Sequence, residues 1–214
     1  MAWIPEQQVP DGFYQFTKYM TKNRWCSVWH QISEIMKEGE KSRVLEVGAG
    51  SNILRGVLEA SGYQYTSVDI VSDTKPDIIA SVTRLPFEDN RFTVACAFQV
   101  LEHLPYDFAL RGLTELLRVA PRVLISLPDR RPVIQVSFYC PFLRGFNLNI
   151  PWPFYNKKVI WDSEHYWEIG AKGYTFNKVV SDISKVAIID ETYIVHEYQY
   201  HRFFVLRRRN EHTS

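Results

Sequence analysis

Apolar and polar positions along this chain fall into blocks with the lengths of strands and helices. Val44, Leu45 and Val47 form a short β-type run that stops at Gly48-Ala49-Gly50. A helical stripe follows in Ile53, Leu54, Val57 and Leu58, with Gly62 placed to end it. Gln64 to Val68 reads as a second strand ending on Asp69, and Asp77 to Ala80 as a short third one. Phe92 to Phe98 is continuously apolar, as a central strand covered on both faces requires. Asp107 to Val119 predicts a helix with Leu110, Leu113, Leu116 and Leu117 inward; Pro121 breaks it, and Val123 to Leu127 is the fifth strand. Strands with helices between them predict an α/β fold, a parallel doubly wound sheet with right-handed crossovers. Beyond these, Tyr174 to Ser184 reads as a helix, and Val186 to Val195 and His201 to Arg208 as apolar strands around the turn His196 to Tyr200.

Two stretches break this rhythm. Met1 to Gly12 is polar and proline-bearing, an arm, and Phe13 to Lys37 reads as one or two amphipathic helices. Phe16, Tyr19 and Met20 share one side there, with Trp25, Val28, Trp29, Ile32, Ile35 and Met36 further on. Pro128 to Gly173 has few periodic signals, yet Val133 to Phe176 holds 12 of the chain's 31 aromatic residues. Structureless connections this long are uncommon unless functional, so the segment reads as an insertion forming a lid over a ligand pocket. The alternatives are a satellite hydrophobic cluster, or a membrane-surface contact through Trp152, Phe154 and Trp161 beside Lys157 and Lys158.

Bulk properties narrow the class. The 214 residues suffice for one domain: a helical cap (1–42), a core (43–127), the insertion (128–173) and a closing helix and hairpin (174–214). A net charge of +1 supplies no field for nucleic acid, and none is expected as a partner. Cys26, Cys96 and Cys140 lie too far apart for a zinc or disulfide framework, so no metal is expected, and Cys96 reads as packing. With no signal peptide and no long apolar run, the expected location is cytoplasmic.

The chemistry begins at the glycine turn. A buried strand, a glycine turn and a helix make the front half of a nucleotide site, where a ligand can approach the backbone. The dinucleotide fingerprint wants a third glycine where this chain has Ile53. Asp69, at the tip of strand two, suits the two hydroxyls of a ribose. Spacing alone leaves both cofactor classes open.

Four blocks in register add a resemblance: Glu46-Val-Gly-Ala-Gly50, Val68-Asp69-Ile70, Leu85-Pro-Phe-Glu-Asp-Asn90 and Gln99-Val-Leu-Glu-His-Leu104. Together they resemble the class I S-adenosylmethionine (SAM) dependent methyltransferases, particularly the small single-domain bacterial type. The resemblance implies a Rossmann-like, mostly parallel seven-stranded sheet closed by a C-terminal antiparallel hairpin. It implies SAM as donor and S-adenosylhomocysteine as product. Glu46, Gly48, Ala49, Gly50 and Asn52 would form the donor loop, with Asp69 and Ile70 at the ribose. Ser81, Val82 and Thr83 would border the adenine, Ser81 standing where the family usually carries an Asp, and Gln99 would lie by the methionine end. N-terminal helices of the family often cover the donor, which makes Tyr14, Tyr19 and Arg24 candidates. His103 is either a structural cap or a group facing the acceptor.

Ser163-Glu-His-Tyr-Trp-Glu-Ile-Gly170 with Gly173-Tyr174 resembles a stretch of small bacterial methyltransferases found with surface-polysaccharide genes. Moving a methyl to a hydroxyl oxygen requires that oxygen to lose its proton, and His165, flanked by Glu164 and Glu168, is the candidate base. The bland alternative is a histidine hydrogen-bonded inside an aromatic loop. The reading is a SAM-dependent methyltransferase acting on a small-molecule or glycan hydroxyl, with a homodimer admitted. Its alternatives are N-methylation of an amine or protein side chain, and a SAM-binding partner subunit without turnover. An anionic acceptor could also use Arg130-Arg131.

Overall fold

The protein's computed structural model describes residues 19–39, 41–140, 142–152 and 164–209, without the side chains of 143, 144 and 151. Helix α1 (Lys22–Met36) is capped by Thr21, whose Oγ1 accepts from the Arg24 N–H at 3.3 Å. Then follow β1 (Arg43–Val47), α2 (Ile53–Ala60), β2 (Gln64–Asp69), β3 (Ile78–Ile79) and β4 (Val94–Phe98). A single 3-10 turn (Leu101–His103) leads to α3 (Tyr106–Val119) and β5 (Arg122–Pro128). The chain closes with β6 (Val133–Cys140), β7 (Leu143–Pro151), α4 (Phe176–Val186), β8 (Ala187–Ile194) and β9 (His201–Arg208).

Seven strands form one sheet in the order β3-β2-β1-β4-β5-β9-β8. The first five pair in parallel, and β9 runs antiparallel between β5 and β8. This is the expected α/β architecture with its C-terminal hairpin. Period-two side-chain alternation divides the core between the two faces. Leu45, Val47, Ala95, Ala97 and Ile125 pack toward α3 and α4, while Val44, Val94, Cys96 and Leu124 pack toward α1 and α2. Cys96 is a core residue, as its apolar strand predicts. Register then makes the functional edge: Val47 pairs with both Val68 and Ala97, so β1, β2 and β4 end together. Gly48, Asp69 and Gln99 therefore emerge at one rim, where open α/β sheets hold ligands.

Three expectations change. The stripe assigned to the first helix does not all face inward: Ser27, Val28, Glu34 and Ile35 are buried, whereas Trp29 is 62% exposed and Trp25 and Met36 also face out. Tyr14 and Phe16 lie outside the described residues. In α3, Leu113, Leu116 and Leu117 are buried as expected, but Leu110 is only half-buried, and Ala109 and Gly112 take the inward positions, glycine letting the helix sit against Val82.

The third change is in the insertion, whose described residues include regular strands. Strands β6 and β7 form a separate antiparallel ribbon in which Ile134 pairs with Ile150, Val136 with Leu148 and Phe138 with Phe146. Those six side chains are exposed, and Phe142 at the tip is 94% so. The polar side of the ribbon faces the domain instead: Ser137 Oγ lies 2.9 Å from His196 Nε2, and Asn149 Nδ2 donates to the Ile194 carbonyl at 3.1 Å. The alternation of Ile134, Val136 and Phe138 with Gln135 and Ser137 was available as a strand signal. Phe154, Lys157, Lys158 and Trp161, invoked for a membrane surface, lie outside the described residues. Among those described, no helix is long and apolar enough to cross a membrane.

Candidate active site

The glycine turn after β1 is locked to its neighbours. Gly48 holds φ +78°, its N–H donates to the Val68 carbonyl at 2.8 Å, and a Cβ there would collide with Val100. Only glycine meets both conditions without strain. Asn52 is also left-handed, at φ 55°, and its amide donates to the Thr74 carbonyl. Asp69 is buried at the end of β2 and accepts from the Val71 N–H at 3.3 Å. Burial raises its carboxyl, opposed by backbone N–H groups of Val71, Ile70 and Gly50, so Asp69 sits against the glycine turn.

Glu46, Gly48, Ala49, Gly50 and Gln99 line one cleft, roofed by Tyr19 and Arg24 just before and within α1. The Arg24 guanidinium stands 4.1 Å from the centre of the Tyr19 ring. Gln99 is left-handed at φ 56°, and its Nε2 donates to Ser126 Oγ at 3.1 Å. Asn52, Asp69, Ile70, Ser81, Val82 and Thr83 do not line this cleft. Ile70 is 40% exposed just past Asp69. Ser81 Oγ accepts the Thr83 N–H at 3.3 Å and lies 2.9 Å from Thr83 Oγ1, so its lone pairs close a turn. The Val82 side chain is a core residue packed on Gly112, which leaves only its backbone to face a ligand.

Glu46 is buried, accepts the Tyr65 hydroxyl, and is pushed up to about 8 by desolvation. The folded chain thus keeps a proton that the unfolded chain releases near 4.5, so stability falls as pH rises between those values. Glu46→Gln removes this decline. Its melting temperature, compared with wild type at pH 5 and pH 8, is expected to gain by the equivalent of on the order of 2 kcal/mol at the higher pH.

A second group of polar side chains stands on the same rim, three residues beyond Gln99. The segment 164–170 is tied to the 3-10 turn: the Tyr166 N–H donates to the Glu102 carbonyl at 2.9 Å, and buried Trp167 donates through Nε1 to the carbonyls of Leu101 and Leu104 at 3.2 and 3.1 Å. These bonds bring the His103 and His165 rings to 4.7 Å between centroids, edge to face. His103 Nδ1 lies 2.8 Å from the Glu164 carbonyl oxygen, which can only accept, so Nδ1 carries the hydrogen. His165 Nδ1 lies 2.7 Å from Glu168 Oε1. Glu168 is fully buried and also accepts from Arg130 Nη2 and the Tyr200 hydroxyl, each at 2.8 Å. Those donors hold its carboxyl below the usual range in spite of burial. Glu102 is the opposite case: it is fully buried, neither oxygen has a partner among the described residues, and desolvation pushes it up to about 8.

The sequence profile described as "Methyltransferase domain" matches residues 16–168, well over half of the chain. The chain belongs to this methyltransferase family. An uncharacterized protein of Methanocaldococcus jannaschii is 22% identical over 143 residues, which cover 62% of this chain and 63% of that protein. The chain thus spans under two thirds of the length of this curated relative. Among solved structures, a Pyrococcus horikoshii protein superimposes with a TM-score of 0.62 at 15% identity, covering 94% of this chain and all of the other. The Burkholderia thailandensis 1,6-didemethyltoxoflavin-N1-methyltransferase, crystallised with S-adenosylhomocysteine, gives 0.58 at 14% identity, covering 97% and 94%. These likenesses show a shared fold.

Within the methyltransferase domain, Arg130 and Arg131 do not offer themselves to an anionic acceptor. Arg130 is held by Glu168, while Arg131 and Arg202 both bond the fully buried Asp129 at 2.7 Å. Glu102 and Tyr200 are polar residues of this group that the sequence candidates left out, and of the two carboxylates flanking His165 in sequence it is Glu168 that bonds it. Glu102 and Glu168 flank the two candidate histidines in sequence, which is a usable signal; Tyr200 arrives only through the turn between β8 and β9.

Proposed function

We propose that this methyltransferase takes its methyl group from SAM and delivers it to the hydroxyl oxygen of a small molecule or glycan. The donor assignment is supported by Gly48, where no side chain fits, by the buried Asp69 carboxylate, and by a cleft running from Glu46 to Gln99. When bound, SAM supplies an electrophilic methyl group on sulfur. Asp69 accepts the ribose hydroxyls, the backbone at Gly48 and Gly50 admits the donor's chain closely, and Tyr19 and Arg24 exclude water from the cleft. The Ser81–Thr83 turn borders the adenine through its backbone.

The acceptor reading is carried by one observation, the hydrogen bond from His165 to a buried carboxylate that is ionised and triply supported. With Nδ1–H donated to Glu168, the basic lone pair of His165 is on Nε2, and His103 has the same tautomer through Glu164. A hydroxyl placed between these imidazoles and the cleft meets groups that favour its deprotonated form. The likeness of residues 163–170 to polysaccharide-associated methyltransferases supports a glycan as the source of that hydroxyl.

Calorimetry with S-adenosylhomocysteine tests the donor half. Wild type is expected to bind, and Asp69→Ala to bind about 10–100-fold more weakly, the cost of losing hydrogen bonds to a charged group. No heat from the wild-type protein at millimolar ligand overturns the assignment.

A further inference from the structure

We propose that Glu102, His103 and His165 form a binding site for a divalent transition-metal cation on the acceptor side of the donor cleft. One ligand atom from each of the three lies within 4.8 Å of the other two. A cation bound at about 2.0–2.2 Å from nitrogen and oxygen draws such atoms together by small side-chain rotations. Proximity alone is weak, because polar groups cluster on many rims. The independent observation is Glu102: its carboxyl group has no accessible surface, and neither oxygen has a hydrogen-bond partner among the described residues. Leaving one such acceptor unsatisfied costs about 1–3 kcal/mol, and few native positions carry two on one side chain. A cation in contact with both imidazoles would satisfy them.

The tautomers agree with this. His103 gives its Nδ1 hydrogen to the Glu164 carbonyl, and His165 gives its own to the Glu168 carboxylate. Each bond leaves the ring's lone pair on Nε2 and fixes the ring's orientation, as in histidines that ligate metals. Glu168, supported by Arg130 and Tyr200, is then the outer partner of one ligand rather than a ligand itself. Two imidazole nitrogens and one carboxylate favour Mn, Fe, Co or Zn over magnesium, which prefers oxygen, and three protein ligands leave positions open for acceptor oxygens.

The inference deepens the hydroxyl reading and rests on it for the purpose of the ion. A hydroxyl oxygen bound to the cation becomes more acidic, its proton leaves to water, and the two histidines then act as ligands that hold the ion.

The test uses the full chain, stripped with EDTA and titrated with Mn(II) while the free-ion electron paramagnetic resonance signal is followed. Wild type is expected to remove the signal one for one at micromolar ion. Glu102→Gln and His103→Ala are expected to weaken binding at least 10–100-fold, with melting curves and S-adenosylhomocysteine calorimetry confirming that each variant is folded and keeps its donor site. Unsaturable binding up to millimolar Mn(II) and Zn(II), or affinity unchanged in both variants, overturns the cation site. If the donor product binds and the metal does not, this inference fails while the proposed function stands; if the product does not bind, the proposed function fails.

Discussion

Gly48→Ala is expected to lower the melting temperature by roughly 5–15 °C and to abolish measurable S-adenosylhomocysteine binding. Two costs add at this position. A left-handed φ of +78° costs a non-glycine residue about 1–2 kcal/mol. The new methyl group would overlap the side chain of Val100, the residue just before the 3-10 turn, which must then rotate or shift. A total of about 2–4 kcal/mol corresponds to that thermal shift in a chain of this size. Binding suffers as well because Gly48 lines the donor cleft, and a turn that shifts to relieve the overlap with Val100 carries that lining with it. Differential scanning fluorimetry and calorimetry read the two effects separately. A variant that melts like wild type and binds the product normally would show that the turn has room to spare, contrary to the geometry.

His165→Ala is expected to reduce kcat by about 10²–10⁴-fold while leaving the dissociation constant for S-adenosylhomocysteine within about twofold. The side chain touches Glu168 and faces His103, and it does not line the donor cleft. Its loss therefore separates acceptor activation from donor binding. Single-turnover assays with a panel of hydroxyl and amine acceptors provide the measurement. An amine transferred at nearly the wild-type rate by the variant would replace the hydroxyl reading with N-methylation, because a neutral amine needs no base of this kind. Glu168→Gln is expected to fall between, since it keeps an acceptor for the His165 N–H but loses the charge that Arg130 also binds.

The difference between the insertion and the core shows what makes a sequence legible. Arg43 to Leu127 is the most legible part, because its central strands β1, β4 and β5 are buried on both faces and each helix carries one apolar stripe. The ribbon of β6 and β7 obeys the same period of two, but both its faces stay largely exposed, and it is the polar side that hydrogen-bonds to the domain at Ile194 and His196. A pattern that names the inner face by its hydrophobicity has no means of recognising such a strand pair. The first helix departs in part for a related reason: Val28 and Ile35 are buried as their stripe predicts, but Trp25 and Trp29, which look like anchors, face out, while Ser27 is buried with its hydroxyl 2.8 Å from His201 Nδ1 across the fold.

By itself, the sequence determined the order of strands and helices outside the β6–β7 ribbon, the glycine turn at Gly48 and the acidic tip at Asp69. All of these depend on contacts between near neighbours or on the chemistry of single residues. Only the tertiary structure decided that Tyr166 and Trp167 bind the turn at 101–104, and so that His165 meets His103 and Glu102 across some sixty residues of chain. That meeting is made by backbone carbonyls and one indole N–H, groups whose partners no spacing along the chain can name.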